Sequence, residues 1–171
     1  MTEISVIIPA YNATNTIIHC IESIAKCNVA NYEVIVIDDV STDDTYKKVT
    51  EFIERGNSFV RLYKNEINLG PSLSRRNGIK FSNGRLLAFV DADDWIEENA
   101  LKELYEYADG VDMVLFNAVE HLTGTDNKKR IYPVDDSEET FTYKDYKNLV
   151  MNSEIIVCSK LHKLSFIKEN D

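Results

Sequence analysis

Glycine is scarce in this chain, six in 171 residues, beside three prolines, three cysteines and one tryptophan. The few glycines form no G-x-x-x-x-G-K-[ST], and no G-x-G-x-x-G follows the first apolar run. The chain therefore offers no glycine cradle for a P-loop nucleotide or a Rossmann-type cofactor. No Cys-x-x-Cys occurs, and His19, His121 and His162 lack the spacing of metal ligands, which argues against zinc. Cys20 and Cys27 fall on one stretch of helical period, about 10 Å apart and too far for a disulfide. Core thiols in a reducing cytoplasm are the expectation. No apolar run approaches the length of a membrane span. The opening "MTEISVIIPAYN" lacks the basic start and long apolar stretch of a signal peptide, and reads as a strand. Basic residues are outnumbered, 19 Lys and Arg against 29 Asp and Glu, for a formal net charge of -10. That balance argues against a nucleic-acid partner but leaves room for a small anionic ligand at a local site.

What is present is a core and a rhythm. The chain is 44% hydrophobic, enough for one ordinary globular domain. "ISVIIP" reads as a β-branched strand stopped by Pro9. "ATNTIIHCIESIAKC" puts Ile17, Ile21, Ile24 and Ala25 on one helical face, with Thr14 or Asn15 as its cap. "YEVIVIDD" is apolar without a break from Val34 to Ile37, as a parallel strand covered on both faces should be. "STDDTYKKVTEFIERG" reads as a helix with Ser41 and Asp44 as a capping box and Gly56 as its stop. "FVRLYK" is a third strand, "LGPSLSRRNGIKFSNG" a helix started by Pro71, "LLAFV" a fourth strand. "EENALKELYEYADG" is a helix with Leu101, Leu104 and Tyr105 inward, and "DMVLFNAVE" a fifth strand. Repeated β-α units imply an α/β, doubly wound, mostly parallel sheet with helices on both faces. The rhythm weakens after residue 120, so the division expected is 1–120 and 121–171.

In such sheets ligands bind beyond the C-terminal ends of the strands. Those ends carry Pro9-Ala10-Tyr11-Asn12, Asp38-Asp39, Lys64-Asn65 and Asp91 to Asp94. In "RLLAFVDADDW" an apolar strand runs straight into Asp91, Asp93 and Asp94. Carboxylates that close repel one another, so something positive should sit there. The bland reading is an acidic turn capping the next helix, but a cap needs one side chain rather than three. A divalent-cation site explains all three, and oxygen ligands suit Mg²⁺ or Mn²⁺. Lys64, Arg75 and Arg76 could add positive charge for a phosphate, with a solvated helix face the simpler reading of Arg75. Asp38 reads equally well as turn chemistry. Tyr11 could lie beside a base or belong to the core.

"SVIIPAYN", "VIVIDDVSTDDT", "NLGPSLSRRNGI" and "LLAFVDADDW", in this order and spacing, resemble the GT-A glycosyltransferases of family 2. The match is close over residues 3 to 118 and loose beyond. The resemblance implies transfer of a sugar from a nucleotide-diphosphate donor, often UDP, with inversion at the anomeric carbon. It places Asp91 and Asp93 as the family's DxD, contacting the ribose and a Mn or Mg cation that bridges the diphosphate. Asp94 adjoins that motif as an alternative metal ligand beside Asp93. Asp39 would read the uracil, Pro9, Ala10 and Tyr11 would line the nucleoside, and Arg76 would stand beside the donor. The implied acceptor is a saccharide or lipid-linked saccharide. The implied setting is bacterial surface polysaccharide assembly, cytoplasmic or peripheral at the inner face of the membrane.

The family's general base is a carboxylate in the acceptor half. Asp135, Asp136, Glu138 and Glu139 lie in a polar stretch without that motif's context, so the base is expected beyond Asp171. Three other readings compete. One is a donor-binding module or fragment without turnover. Another is a Mg-dependent Asp-x-Asp phosphotransferase of the haloacid-dehalogenase kind, which carries its motif on the first strand rather than the fourth. The third, a sugar-1-phosphate nucleotidyltransferase, would need a Gly-rich signature that "PAYN" replaces. An oligomer is hinted at by Tyr143 and Tyr146.

Overall fold

The computed structural model describes residues 2–121, 128–131 and 157–170. Four β-α units open the chain: β1 (Ile4–Ala10) and α1 (Ile17–Ala25), β2 (Tyr32–Asp38) and α2 (Thr45–Glu54), β3 (Val60–Lys64) and α3 (Gly70–Phe81), β4 (Leu86–Phe89) and α4 (Ala100–Glu106). After β5 (Met113–Leu115) come a hairpin of β6 (Ala118–His121) and β7 (Lys128–Ile131), then a 3-10 turn (Val157–Ser159), β8 (Lys160–Lys163) and α5 (Leu164–Asn170). The main sheet has six strands in the order β3-β2-β1-β4-β8-β5. Its first four strands are parallel, and β8 runs antiparallel between β4 and β5.

The alternation of side chains along β1 explains the two layers. Ile4, Val6 and Ile8 face α1, α2 and α4 and meet Ile17, Cys20, Ile21, Ile24, Val49 and Leu101. Ile7 points to the other face with Ile35, Ile37, Leu87 and Phe89, under Ile79 of α3 and Leu164 of α5. Every residue of β1 is buried, as a central strand covered on both sides requires. Gly78 lets α3 press onto this sheet: a Cβ there would lie 2.5 Å from Ile7 Cγ2.

Several local expectations give way to tertiary contacts. Pro9 does not stop β1, which continues in register to Ala10 opposite Asp38. Ala25 is exposed, and Cys20 and Cys27 take inward positions as free thiols. Neither α1 nor α2 has a side-chain N-cap hydrogen bond. Ser41 Oγ instead accepts the Asn12 amide at 3.0 Å, and Thr45 Oγ1 accepts the Ala13 amide at 2.8 Å. The predicted fifth strand breaks at Phe116 and Asn117, and its second half joins the hairpin. Asp135, Asp136, Glu138, Glu139, Tyr143 and Tyr146 lie outside the described residues.

The chain winds outward from β1 through β2 to β3, then returns to place β4 on the other side of β1. The connections leaving β1 and β4 therefore diverge, which opens a crevice at the C-terminal ends of these two strands.

Candidate functional site

A cavity of about 610 Å³ occupies that crevice. Its walls come from the β1 end (Pro9, Ala10, Tyr11), from Asp39 after β2, from Ser74 and Arg75 of α3, and from Asp91 and Asp93 after β4. Six positions singled out in the sequence, Pro9, Ala10, Tyr11, Asp39, Asp91 and Asp93, thus converge on one space from three strand ends, and Arg75 joins them from a helix. Tyr11 is 52% exposed and lines the cavity, which sets aside the core reading of its ring. Arg76 is exposed and is not part of the lining.

Two loops form one wall and are locked together. Asn12 Oδ1 accepts the Thr42 amide at 2.8 Å, and Asp43 Oδ2 accepts the Thr14 amide at 3.1 Å. Lys48 Nζ donates to the Thr14 carbonyl at 2.8 Å. Between them Val40 holds φ 63°, a left-handed conformation that costs a β-branched residue about 1–3 kcal/mol. Its neighbours fix it: Asn68 Nδ2 donates to the Asp39 carbonyl, and the Ser41 amide to Asp38 Oδ2.

Asp39 is buried at 3% exposure and is heavily hydrogen-bonded. Its Oδ1 accepts Asn65 Nδ2 at 2.7 Å and the Leu69 amide at 2.8 Å, and its Oδ2 accepts the Gly70 amide at 2.7 Å. Burial alone would raise this carboxyl, but bonds from Leu69, Asn65, Gly70 and Ser74 outweigh it and hold it below the usual carboxylate range. Asp38 is fully buried beside it and is not part of the cavity lining; its Oδ2 lies 3.9 Å from Lys64 Nζ. Lys64 also lies 5.1 Å from the Tyr46 ring centroid, so it is engaged outside the cavity rather than supplying charge to it.

The acidic turn after β4 has a positive partner within the chain. Arg75 donates a hydrogen bond to Asp91 and its side chain is only 16% exposed, so it is not part of a solvated face. The signal was in the helix period: Pro71, Ser74, Arg75 and Gly78 form one i, i+3, i+4, i+7 stripe, and Gly78 is the residue pressed to the sheet. The turn is also sewn to α1. Cys20 Sγ donates to the Asp91 carbonyl at 3.5 Å, Ser23 Oγ accepts the Ile96 amide at 3.1 Å, and Cys27 Sγ donates to the Glu97 carbonyl at 3.5 Å. Burial pushes both thiols upward, so they remain protonated donors.

Asp91, Asp94 and Cys158 bring ligand atoms within 4.8 Å of one another. Cys158, absent from the sequence reading, arrives from the turn before β8, and burial followed by the charge of Asp91 pushes its thiol up to about 12. Partial burial of its carboxyl, then the like charges of Asp93 and Asp91, raise Asp94. The carboxylates are crowded beyond what Arg75 alone relieves.

The sequence profile of glycosyl transferase family 2 matches residues 5–164. A curated relative, the UDP-Glc:alpha-D-GlcNAc-diphosphoundecaprenol beta-1,3-glucosyltransferase WfgD of Escherichia coli, is 43% identical over 94 residues, 54% of this chain and 36% of that protein. The S. aureus TarS 1-349 structure in complex with UDP-GlcNAc superposes with a TM-score of 0.78 at 28% identity, over 99% of this chain and 48% of that one. GalNAc-T7, solved with UDP, GalNAc and Mn2+, superposes over 60% of this chain and 20% of that one, with a TM-score of 0.55 and 27% identity. The chain thus spans about a third of the length of WfgD and about half of the TarS chain.

Proposed function

The chain belongs to glycosyl transferase family 2, and from that premise we propose that it binds a UDP-sugar and serves an inverting, cation-dependent transfer of the sugar to an acceptor hydroxyl. The observation that carries this reading is the convergence of Tyr11, Asp39, Arg75, Asp91 and Asp93 on one cavity at the switch point of the sheet. TarS binding UDP-GlcNAc and GalNAc-T7 binding UDP with Mn2+ support the choice of nucleotide and of ion.

Each wall has a task in this scheme. Tyr11, with Pro9 and Ala10, offers the exposed ring and apolar floor on which a base and ribose lie. Asp39, an ionised acceptor, takes a hydrogen bond from the base. Asp91 receives the ribose and diphosphate end. The carboxylates of Asp91 and Asp94, which converge beside Cys158, and of Asp93, which lines the cavity, suit Mn²⁺ or Mg²⁺ by their chemistry, and the crowding that raises Asp94 is what a cation relieves. When bound, such an ion supplies positive charge opposite the negative charge that grows on the departing diphosphate. Arg75 adds a fixed guanidinium on the same side, and Arg76 of the next position approaches the donor from outside the cavity. The acceptor hydroxyl attacks the anomeric carbon from the face opposite the diphosphate, which inverts that centre. The carboxylates lining the cavity are all engaged on the donor side, so the base that takes the acceptor proton is placed beyond them.

The donor half corresponds in this scheme to residues 1–120. The diphosphoundecaprenol substrate in the name of WfgD supports a lipid-linked saccharide as the acceptor in this scheme. Among the described residues no helix is long and apolar enough to cross a membrane, and the proposed place of action is the cytoplasmic face of a membrane in bacterial surface polysaccharide synthesis. Calorimetric titration of UDP into the chain tests the donor reading. Binding in Mn²⁺ that weakens by about tenfold or more in EDTA is expected. No binding of UDP in either condition overturns it.

A further inference from the structure

Asn65 lies just beyond β3 and is not part of the cavity lining, yet its side chain touches two residues that are. One proton of Nδ2 goes to Asp39 Oδ1 at 2.7 Å and the other to Ser74 Oγ at 2.9 Å. Asn77 Nδ2 donates to Asn65 Oδ1 at 3.0 Å, and Lys80 Nζ donates to Asn77 Oδ1 at 3.0 Å. The amide of Asn65 therefore has one permitted orientation, since a flipped amide would turn its oxygen on the Asp39 carboxylate and face Asn77 with an NH₂ group. We propose that Asn65 is a positioning residue for nucleobase selection: it clamps the Asp39 carboxylate and the Ser74 hydroxyl so that Asp39 meets the cavity as an oriented, acceptor-only group. The inference rests on the donor reading above and assigns a residue to its specificity.

The clamp has a chemical consequence. A carboxylate free to rotate or to take up a proton accepts from some ligands and donates to others. Asp39 can do neither while Asn65 and the Leu69 and Gly70 amides hold both of its oxygens. Such a group favours a base that presents a ring N–H and rejects one that presents an acceptor or a methyl group at that point. Asn65 is a clamp for that preference and makes no contact with the base in this scheme.

The test compares UDP with its N3-methyl analogue, which has lost the ring N–H, in calorimetry with Mn²⁺. The wild-type chain is expected to prefer UDP by about tenfold or more, the value of a hydrogen bond to a charged group. In Asn65→Leu the preference falls toward one, mainly through weaker binding of UDP, because the analogue never used the bond. Asn77→Leu leaves Asn65 in place but frees its amide, and is expected to lower the preference part of the way. It keeps the test decisive if Asn65→Leu does not fold. An undiminished preference in the variants, with both nucleotides weakened alike, gives Asn65 a structural role only and overturns the inference. Equal binding of the two nucleotides by the wild type overturns it as well, while leaving the donor site intact. A wild-type chain that binds no UDP overturns the donor reading itself, and this inference with it.

Discussion

Glu33 lies near the start of β2, at the end of the sheet opposite the cavity, and shows how single polar residues hold this fold. Its Oε1 accepts the Ser5 hydroxyl at 2.7 Å and the Asn83 amide at 2.8 Å, and its Oε2 accepts Arg61 at 2.8 Å. Ser5 Oγ in turn accepts the Gly84 amide at 2.9 Å, which closes the turn between α3 and β4. Burial alone would raise the Glu33 carboxyl, but Ser5, Asn83 and Arg61 outweigh it and hold it below the usual range. A depressed folded-state value means that this stabilisation is present in full above the unfolded carboxylate range and is lost as pH falls through the folded value. Glu33→Gln should therefore cost roughly 1–3 kcal/mol at neutral pH in urea unfolding. The gap to the wild type should narrow in acid, and a gap independent of pH would contradict this account. None of this was legible in the sequence, where a glutamate beginning a strand looks like a solvated end.

Among the elements, α3 carries the most information per residue. It supplies Ser74 and Arg75 to the cavity and Gly78 to the sheet. Gly→Ala in an exposed helix interior stabilises by about 1 kcal/mol. At Gly78 the sign reverses, because the new methyl would meet Ile7 Cγ2 at 2.5 Å. Gly78→Ala is expected to destabilise by about 1–3 kcal/mol, read as a lower thermal midpoint, and a raised midpoint would refute the close packing of α3 on β1. The helices and the four parallel strands were legible because period and burial agree in them. Strand β8 was not: "KLHK" is short, and only its pairing with Leu86 to Ala88 and with Met113 to Leu115 makes it a strand. The missed caps have the same origin. Ser41, expected in a capping box, turns its hydroxyl to accept the Asn12 amide of the neighbouring loop, and Asp43 instead accepts the Thr45 amide at the start of α2, at 2.9 Å.

At the scale of the molecule, a chain of net charge -10 gathers three carboxylates at the switch point of its sheet and meets them with one half-buried arginine. The strand-end positions of the cavity were legible, because an apolar run ending in polar residues marks where a parallel sheet opens. The partners that set the chemistry of those positions were legible only in part. Arg75 left its signal in the helix period of α3, but Asn65 and Cys158 reach the cavity region from a loop and a distant turn, and only the fold joins them to it. The central claim is that the acidic turn after β4 holds the cation of a nucleotide diphosphate. The most direct measurement follows Mn²⁺ by electron paramagnetic resonance in the presence of UDP, comparing the wild-type chain with Asp94→Asn. The account predicts Mn²⁺ binding that UDP strengthens, and a loss of about tenfold or more in the variant. Mn²⁺ affinity unchanged by the substitution would contradict it.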